Sequence, residues 1–398
     1  MIILKRVFRL YKEAYSGLPR KAWLLSLVEF INRSGSMVFF YMTLYVTQTF
    51  GFSTTQAGQV ISSYGFGSLV GSYLGGKLTD SIGAYNVQKA SLILGGISYI
   101  VLGQLTSFRW IMVVIFLVGM VSEALHPANA TAMSQVCPPE LRTKGFALNR
   151  LAINLGVTIG PVMGGYLALV NYSLLFWIDG LTYFLAAGIF MLFFKTARPP
   201  VEPQAEQIGK SHSVWKDFYF LKILVLVFLM GIVFVQIFST FPLFFKSVYG
   251  FKENSIGLLL GVNTVMIVLF EMILMDALKK KSLIKIIALG AFLFCLGFAL
   301  MPLGGGFLYA AFTVVVWTSG EMLSLPSLTA LIADHSDDAF RGKYMGMFSF
   351  AFALAIAVGP TLGSKIYDSL GPDTLWFSCG GMGVLLWLGF SRLKNKKK

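Results

Sequence analysis

The sequence predicts an all-α membrane protein, with twelve transmembrane helices arranged as two pseudo-symmetric six-helix bundles. Three observations carry this expectation. Of the 398 residues only 13% are charged while 56% are hydrophobic, about half the charged share of an ordinary soluble chain. Twelve apolar segments follow one another, each close to the roughly 20 residues that a bilayer crossing needs. Five Gly, Pro and Arg positions of the first half also recur in the second half at one fixed offset.

Hydropathy places the segments at 22–49, 56–76, 88–107, 110–135, 143–170, 174–194, 217–245, 255–278, 283–303, 306–332, 342–367 and 374–391. Turn residues such as Gly51, Ser53 and Gly371-Pro372 separate them. Ahead of the first, MIILKRVFRLYKEAYS sets Lys5, Arg9 and Lys12 on one helical face and Ile3, Val7 and Leu10 on another. That is the pattern of a short interfacial helix on anionic lipid. The first apolar segment is too long for a secretory signal and lacks a small-residue cleavage pattern, so it reads as retained. Residues 196–213, TARPPVEPQAEQIGKSHS, are polar and Pro-rich. They read as a linker between an N-terminal bundle, 1–195, and a C-terminal bundle, 214–398.

Charge gives the orientation. Of the 32 Lys and Arg, 25 fall on one side of the alternating segments, including Lys77, Arg142, Lys144, Lys279 to Lys281, Arg341 and Lys394 to Lys398. The positive-inside rule therefore puts both termini in the cytoplasm of a bacterial-type inner membrane. The formal charge of +14 is a topology signal; basic residues spread over every cytoplasmic loop exclude a nucleic-acid partner. Cys137, Cys295 and Cys379 are scattered, as are His126, His212 and His335, so no metal or cofactor is expected. No nucleophile–base set or phosphate loop points to an enzyme.

The repeat links Pro127, Arg142, Gly160, Pro161 and Gly164 to Pro326, Arg341, Gly359, Pro360 and Gly363, each 199 residues on. Internal repeats in a 6+6 chain are the trace of a two-domain transporter with its substrate site between the halves, near the bilayer midplane.

Three stretches resemble the major facilitator superfamily over the whole chain, in particular its twelve-helix drug:proton antiporters. GGKLTDSIG, with Gly76, Leu78, Asp80 and Gly83, resembles the loop after the second helix, although Ala84 and Tyr85 stand where a basic pair usually follows. GVTIGPVMGG, Gly156 to Gly165, matches the fifth-helix antiporter signature, and PPELRTKG resembles the preceding loop. The fourth segment lacks the arginine common in antiporters and carries Glu123 and His126 instead. EFINRSG in the first segment and GEML in the tenth also resemble the proton-coupled oligopeptide transporters, with Asn32 in place of a second glutamate.

The resemblance implies a central cavity lined by the first, fourth, seventh and tenth segments. Ionisable groups at bilayer depth are costly and face a cavity or one another. Glu29 and Arg33, one turn apart, can pair along one face; they are the first candidates for proton coupling, followed by Glu321 and Glu123. A fixed ion pair that only orients the helix is the plainer alternative. Asn32, Tyr41, His126, Gln236 and Trp317 are candidate cavity residues. Asp80, Gly76, Gly83, Arg142 and Arg341 read as gating elements at the cytoplasmic ends. Gly156, Gly160, Pro161, Gly164 and Pro360 read as a close-packed gating seam. Arg150 and Glu271 are expected to meet across the halves, and Asp179 to be structural. The expected activity is proton-coupled efflux of amphipathic organic compounds by a monomer in lipid. The alternative is a symporter importing peptides, organic acids or a siderophore-like metabolite. A sensor or lipid flippase on the same fold would differ by flux indifferent to Glu29→Gln and Glu321→Gln.

Overall fold

In lipid every backbone polar group must find its partner within the chain, which leaves the helix as the economical choice for this sequence. The structure, a computed structural model, describes residues 16–194, 214–278, 281–336 and 340–393. The expected interfacial helix (apart from Ser16) and the linker 196–213 lie outside the described residues.

Fourteen α-helices run in order among the described residues: α1 (Arg20–Ser34), α2 (Val38–Phe50), α3 (Thr54–Ile82), α4 (Ala84–Leu102), α5 (Phe108–Val136), α6 (Arg142–Val170) and α7 (Ser173–Phe193) in the first half. The second half holds α8 (Phe218–Phe234), α9 (Thr240–Ser247), α10 (Glu253–Leu278), α11 (Leu283–Leu300), α12 (Phe307–His335), α13 (Arg341–Leu370) and α14 (Pro372–Ser391). Nine helical stretches among the described residues are individually long and apolar enough to cross a membrane. The α1–α2 pair, α3 and α4 complete a set of twelve, consistent with the twelve apolar segments.

Local chemistry sets several boundaries. Ser53 and Gln56 form a reciprocal capping box at the start of α3, with bonds of 3.1 and 3.0 Å. Asp217 accepts the Phe220 amide at 3.0 Å and caps α8. Gly51 ends α2 at φ +67°, a left-handed conformation that a side chain would oppose.

Two segments expected to be continuous are broken. The first splits at Gly35–Met37, and the seventh passes through a tight 3₁₀ turn, Val235–Phe238. The breaks are related by the repeat but satisfied differently. In the first, the Asp179 carboxylate of α7 accepts the amides of Met37, at 3.1 Å to both oxygens, and of Val38, at 2.9 Å. In the second, Gln236 donates to Ile232 O at 2.9 Å and Gly359 O at 3.0 Å, and accepts the Ser239 and Thr240 hydroxyls at 3.1 and 2.9 Å. Each break thus exposes orphan backbone groups that a buried polar side chain answers.

Each half closes on itself: α3 on α5, α4 on α7 and α1 on α6 in the first; α11 on α12 and α14, and α8 on α13, in the second. The halves meet along α3–α13 and α6–α10. A Cβ on Gly67 or Gly71 would sit 2.0 Å from a carbonyl oxygen of α5, so α3 and α5 touch backbone to backbone. Because the number of crossings is even, α1 begins and α14 ends on one face, called here the terminal face.

Candidate functional site

The cross-half hydrogen bonds concentrate at the face opposite the termini. Thr55 donates through both its amide and hydroxyl to Asp368 at 2.6 Å. Thr361 donates to the Ser62 hydroxyl at 3.2 Å from its amide and 2.8 Å from its own hydroxyl. The Tyr172 hydroxyl reaches Glu253 at 2.8 Å, and Lys246 pairs with the same carboxylate at 2.7 Å. Tyr41 donates to Pro161 O at 2.7 Å and lies 3.5 Å from Glu253 O. Phe39 and Phe40 close on Phe238 with centroids 4.8 and 5.1 Å apart. Toward the terminal face, the one hydrogen bond between the halves among the described residues is Arg150 donating to Glu271.

Beneath this seal lies a cavity of about 150 Å³ lined from both halves. Phe40, Val157 and Pro161 face Phe234, Phe238 and Leu260, and the polar groups are Asn154, Asn263, Thr264 and Glu321. Glu321 on α12 accepts the Asn263 amide of α10 at 2.8 Å, and the same amide nitrogen reaches Thr318 Oγ1 at 3.1 Å. A carboxylate therefore enters an otherwise apolar chamber with an amide as its partner and no ion pair among the described residues.

A second polar cluster occupies the first half. Arg33 Nε donates to Glu29 at 3.0 Å, and its terminal nitrogen meets His126 Nε2. Arginine has no lone pair to offer, so the guanidinium is the donor in this contact and His126 Nε2 the acceptor. Glu123 lies 3.9 Å from the same ring nitrogen, and the His126 and Glu123 side chains are 41% and 30% exposed. Asn129 bridges Glu29 at 3.5 Å and Asn149 at 3.1 Å. The four charged candidates thus fall in two places: Glu29, Arg33 and Glu123 with His126 in one, Glu321 in the other.

Several expected cavity residues stand elsewhere. Tyr41 is fully buried and belongs to the seal. Trp317 is fully buried in an aromatic stack, its ring 5.6 Å from Phe298 and 6.2 Å from Phe294, because Gly297 leaves room for it inside the second half. Gln236 spends its hydrogen-bonding capacity on the helix break. Asn32 is buried, with its amide nitrogen unpartnered among the described residues.

The expected glycine seam is also redrawn. Gly156 packs on Arg33 and Phe30, Gly160 on Ser34 and Ser36, and Gly164 on Tyr41 and Met37. This stripe therefore seats α6 on the broken first helix within one half. The seam between halves is made by Gly165 against Glu253 and Asn254, by Gly257 against Pro161 O, and by Gly58 against Pro360 O and Ser364. At the terminal face Asp80 and Arg142 are both exposed with no ion pair joining them, and Gly76 has open space around it. Gly83, at φ +87°, ends α3, and Arg341 opens α13. Glu253 and Asp368, which dominate the seal, were not picked out in the sequence; Lys246 among the few cations of that face was the available signal.

Two bundles of helices, sealed at one face and enclosing a polar-tipped cavity between them, define a polytopic membrane transporter of small molecules. The Major Facilitator Superfamily profile matches residues 22–360 and 320–398, and the chain belongs to that family. It is 23% identical to a Na(+), Li(+), K(+)/H(+) antiporter of Planococcus maritimus, over 90% of each chain. It is also 23% identical to the multidrug resistance protein MdtH of Photorhabdus laumondii, over 81% of this chain and 82% of that one. A solved POT family transporter in complex with 5-aminolevulinic acid shares the fold, with a TM-score of 0.81 and 17% identity over 94% of this chain and 96% of that one.

Proposed function

We infer that the protein exports amphipathic organic compounds in exchange for protons, by rocker-switch alternating access in a bacterial inner membrane with both termini cytoplasmic. Residues 1–195 and 214–398 are the moving bodies, joined by 196–213, and one chain is the working unit. The observation that carries this reading is the chamber between the halves. Its walls are aromatic and aliphatic, and its one charged group is Glu321. An unpaired carboxylate in such surroundings is balanced by a proton or by a cationic group of the cargo, and exchange of one for the other is antiport. The sealed face opposite the termini, with no ion pair joining Asp80 to Arg142, supports a state open to the cytoplasm. Glu29, held by Arg33 beside the partly exposed His126 and Glu123, is the second proton-handling group. The names of the multidrug and cation/proton antiporter relatives support the same direction.

The importing reading is favoured by one feature, a carboxylate on each of the first and tenth segments, as in the family of the solved POT neighbour. Purified protein in liposomes with an imposed pH gradient separates the two. Uphill movement of a fluorescent amphiphile against inward proton flow supports exchange; movement in the direction of the proton flow supports symport. Flux unaltered by both Glu321→Gln and Glu29→Gln removes proton coupling from these residues.

A further inference from the structure

Outside the transport pathway, on the flank facing lipid, a groove of about 760 Å³ runs between the start of α8 and the end of α14. Its walls are apolar, Leu221, Val225, Leu226 and Leu393 with Gly389, and its mouth carries Lys222 and Arg392. Gly389 lets α14 close on Leu226, which forms the floor. Lys222 and Arg392 are exposed, and no acidic side chain pairs with either among the described residues. The nearest carboxylate by sequence, Asp217, is already bound to His335 at 2.6 Å and Tyr344 at 3.0 Å. Trp215 and Phe218, 68% and 76% exposed, stand at the same level, as aromatic residues do at a membrane interface.

We propose that this groove is a binding site for an anionic phospholipid of the surrounding membrane. Lys222 and Arg392 hold the phosphate, and the apolar walls take an acyl chain. The level is that of the terminal face, because α8 begins there and α14 ends there. The charge is complementary to a phosphate and has no acidic partner among the described residues, and an apolar trough leads from the cations toward the bilayer interior. A zwitterionic lipid brings its own cation to the same place and gains less from the pair. This site is independent of the transport reading.

Native mass spectrometry of the full-length protein in neutral detergent tests it, with phosphatidylglycerol and phosphatidylcholine of identical chains offered in equal amounts. The wild type is expected to retain phosphatidylglycerol selectively. Each of Lys222→Gln and Arg392→Gln should weaken retention about fivefold, and the pair about twenty-five-fold. Val225→Trp, which fills the trough and leaves both cations, should weaken it as well, while Lys252→Gln on the opposite face should change nothing. Equal retention of the two lipids by the wild type overturns the proposal, as does undiminished selectivity in the double variant. Full displacement by millimolar glycerol 3-phosphate would also overturn it, since the groove would then be a phosphate site without use for the chains.

Discussion

The Asp179 carboxylate accepts the Val38 amide at 2.9 Å, so a side chain of α7 caps a helix that begins in the middle of the membrane. With Met37 it satisfies the break that separates α1, which carries Glu29 and Arg33, from α2, which carries the seal residues Phe39 to Tyr41. The cavity side and the sealed side of the first segment are thus joined at one buried carboxylate.

Asp179→Ala leaves those amides without acceptors in a dry interior, at a cost of about 1–3 kcal/mol for the lost partner. The thermal midpoint in detergent should fall, and amide exchange at Met37 and Val38 should rise more than exchange in α4. Asp179→Asn, which keeps one acceptor oxygen, should fall between.

Arg150 and Glu271 tie α6 to α10 across the halves near the terminal side. The Arg150 side chain is 60% exposed, so the pair stabilises this state by roughly 1 kcal/mol or less. Either Arg150→Glu or Glu271→Arg should shift the conformational balance, read by accessibility of single cysteines on the two faces. The double exchange should restore it.

A Cβ on Gly257 would lie 2.6 Å from Pro161 O and from the Tyr41 hydroxyl, and one on Gly76 meets nothing within 4 Å. Gly257→Val should therefore prevent closure of the seal and abolish transport with the protein still folded. Gly76→Ala should leave both stability and transport near wild type. The contrast is measured in one transport assay on protein quantified by size-exclusion chromatography.

At the terminal end of α8, burial opposes the charge on Asp217, but the Phe220 amide, His335 and the Tyr344 hydroxyl outweigh it and hold the carboxyl below its ordinary range. A depressed carboxylate adds stability above its unfolded value and loses it as pH falls through the folded value. The stability gap between wild type and Asp217→Asn should be present at about pH 5 and close below about pH 4. A gap that persists at the lowest pH would assign the difference to packing.

Much of the fold was legible because lipid imposes a simple code of length and hydropathy. The repeat at 199 residues pointed to paired halves, and Gly160-Pro161 with Gly359-Pro360 to close packing. The candidate site was legible only in part. Glu29 and Arg33 stand one turn apart, so their pairing follows from helix geometry alone, but His126 joins them across 93 positions of chain. Glu321 announced itself as a lone carboxylate, and its partner Asn263 did not, because an amide in an apolar run carries no pattern. Trp317 and Tyr41 misled, since an aromatic ring serves a cavity wall and a packed core equally well.

By itself, the sequence marked out the order of the apolar helices and the short inventory of charges that the membrane must bury. These follow from the energy of single groups in lipid, which acts locally along the chain. Only the tertiary structure decided which charges share a cavity, where the first and seventh segments break, and which glycines lie within a half and which between halves. Those depend on contacts between helices distant in sequence, whose rotation about their own axes is set by close packing and is not encoded by hydropathy.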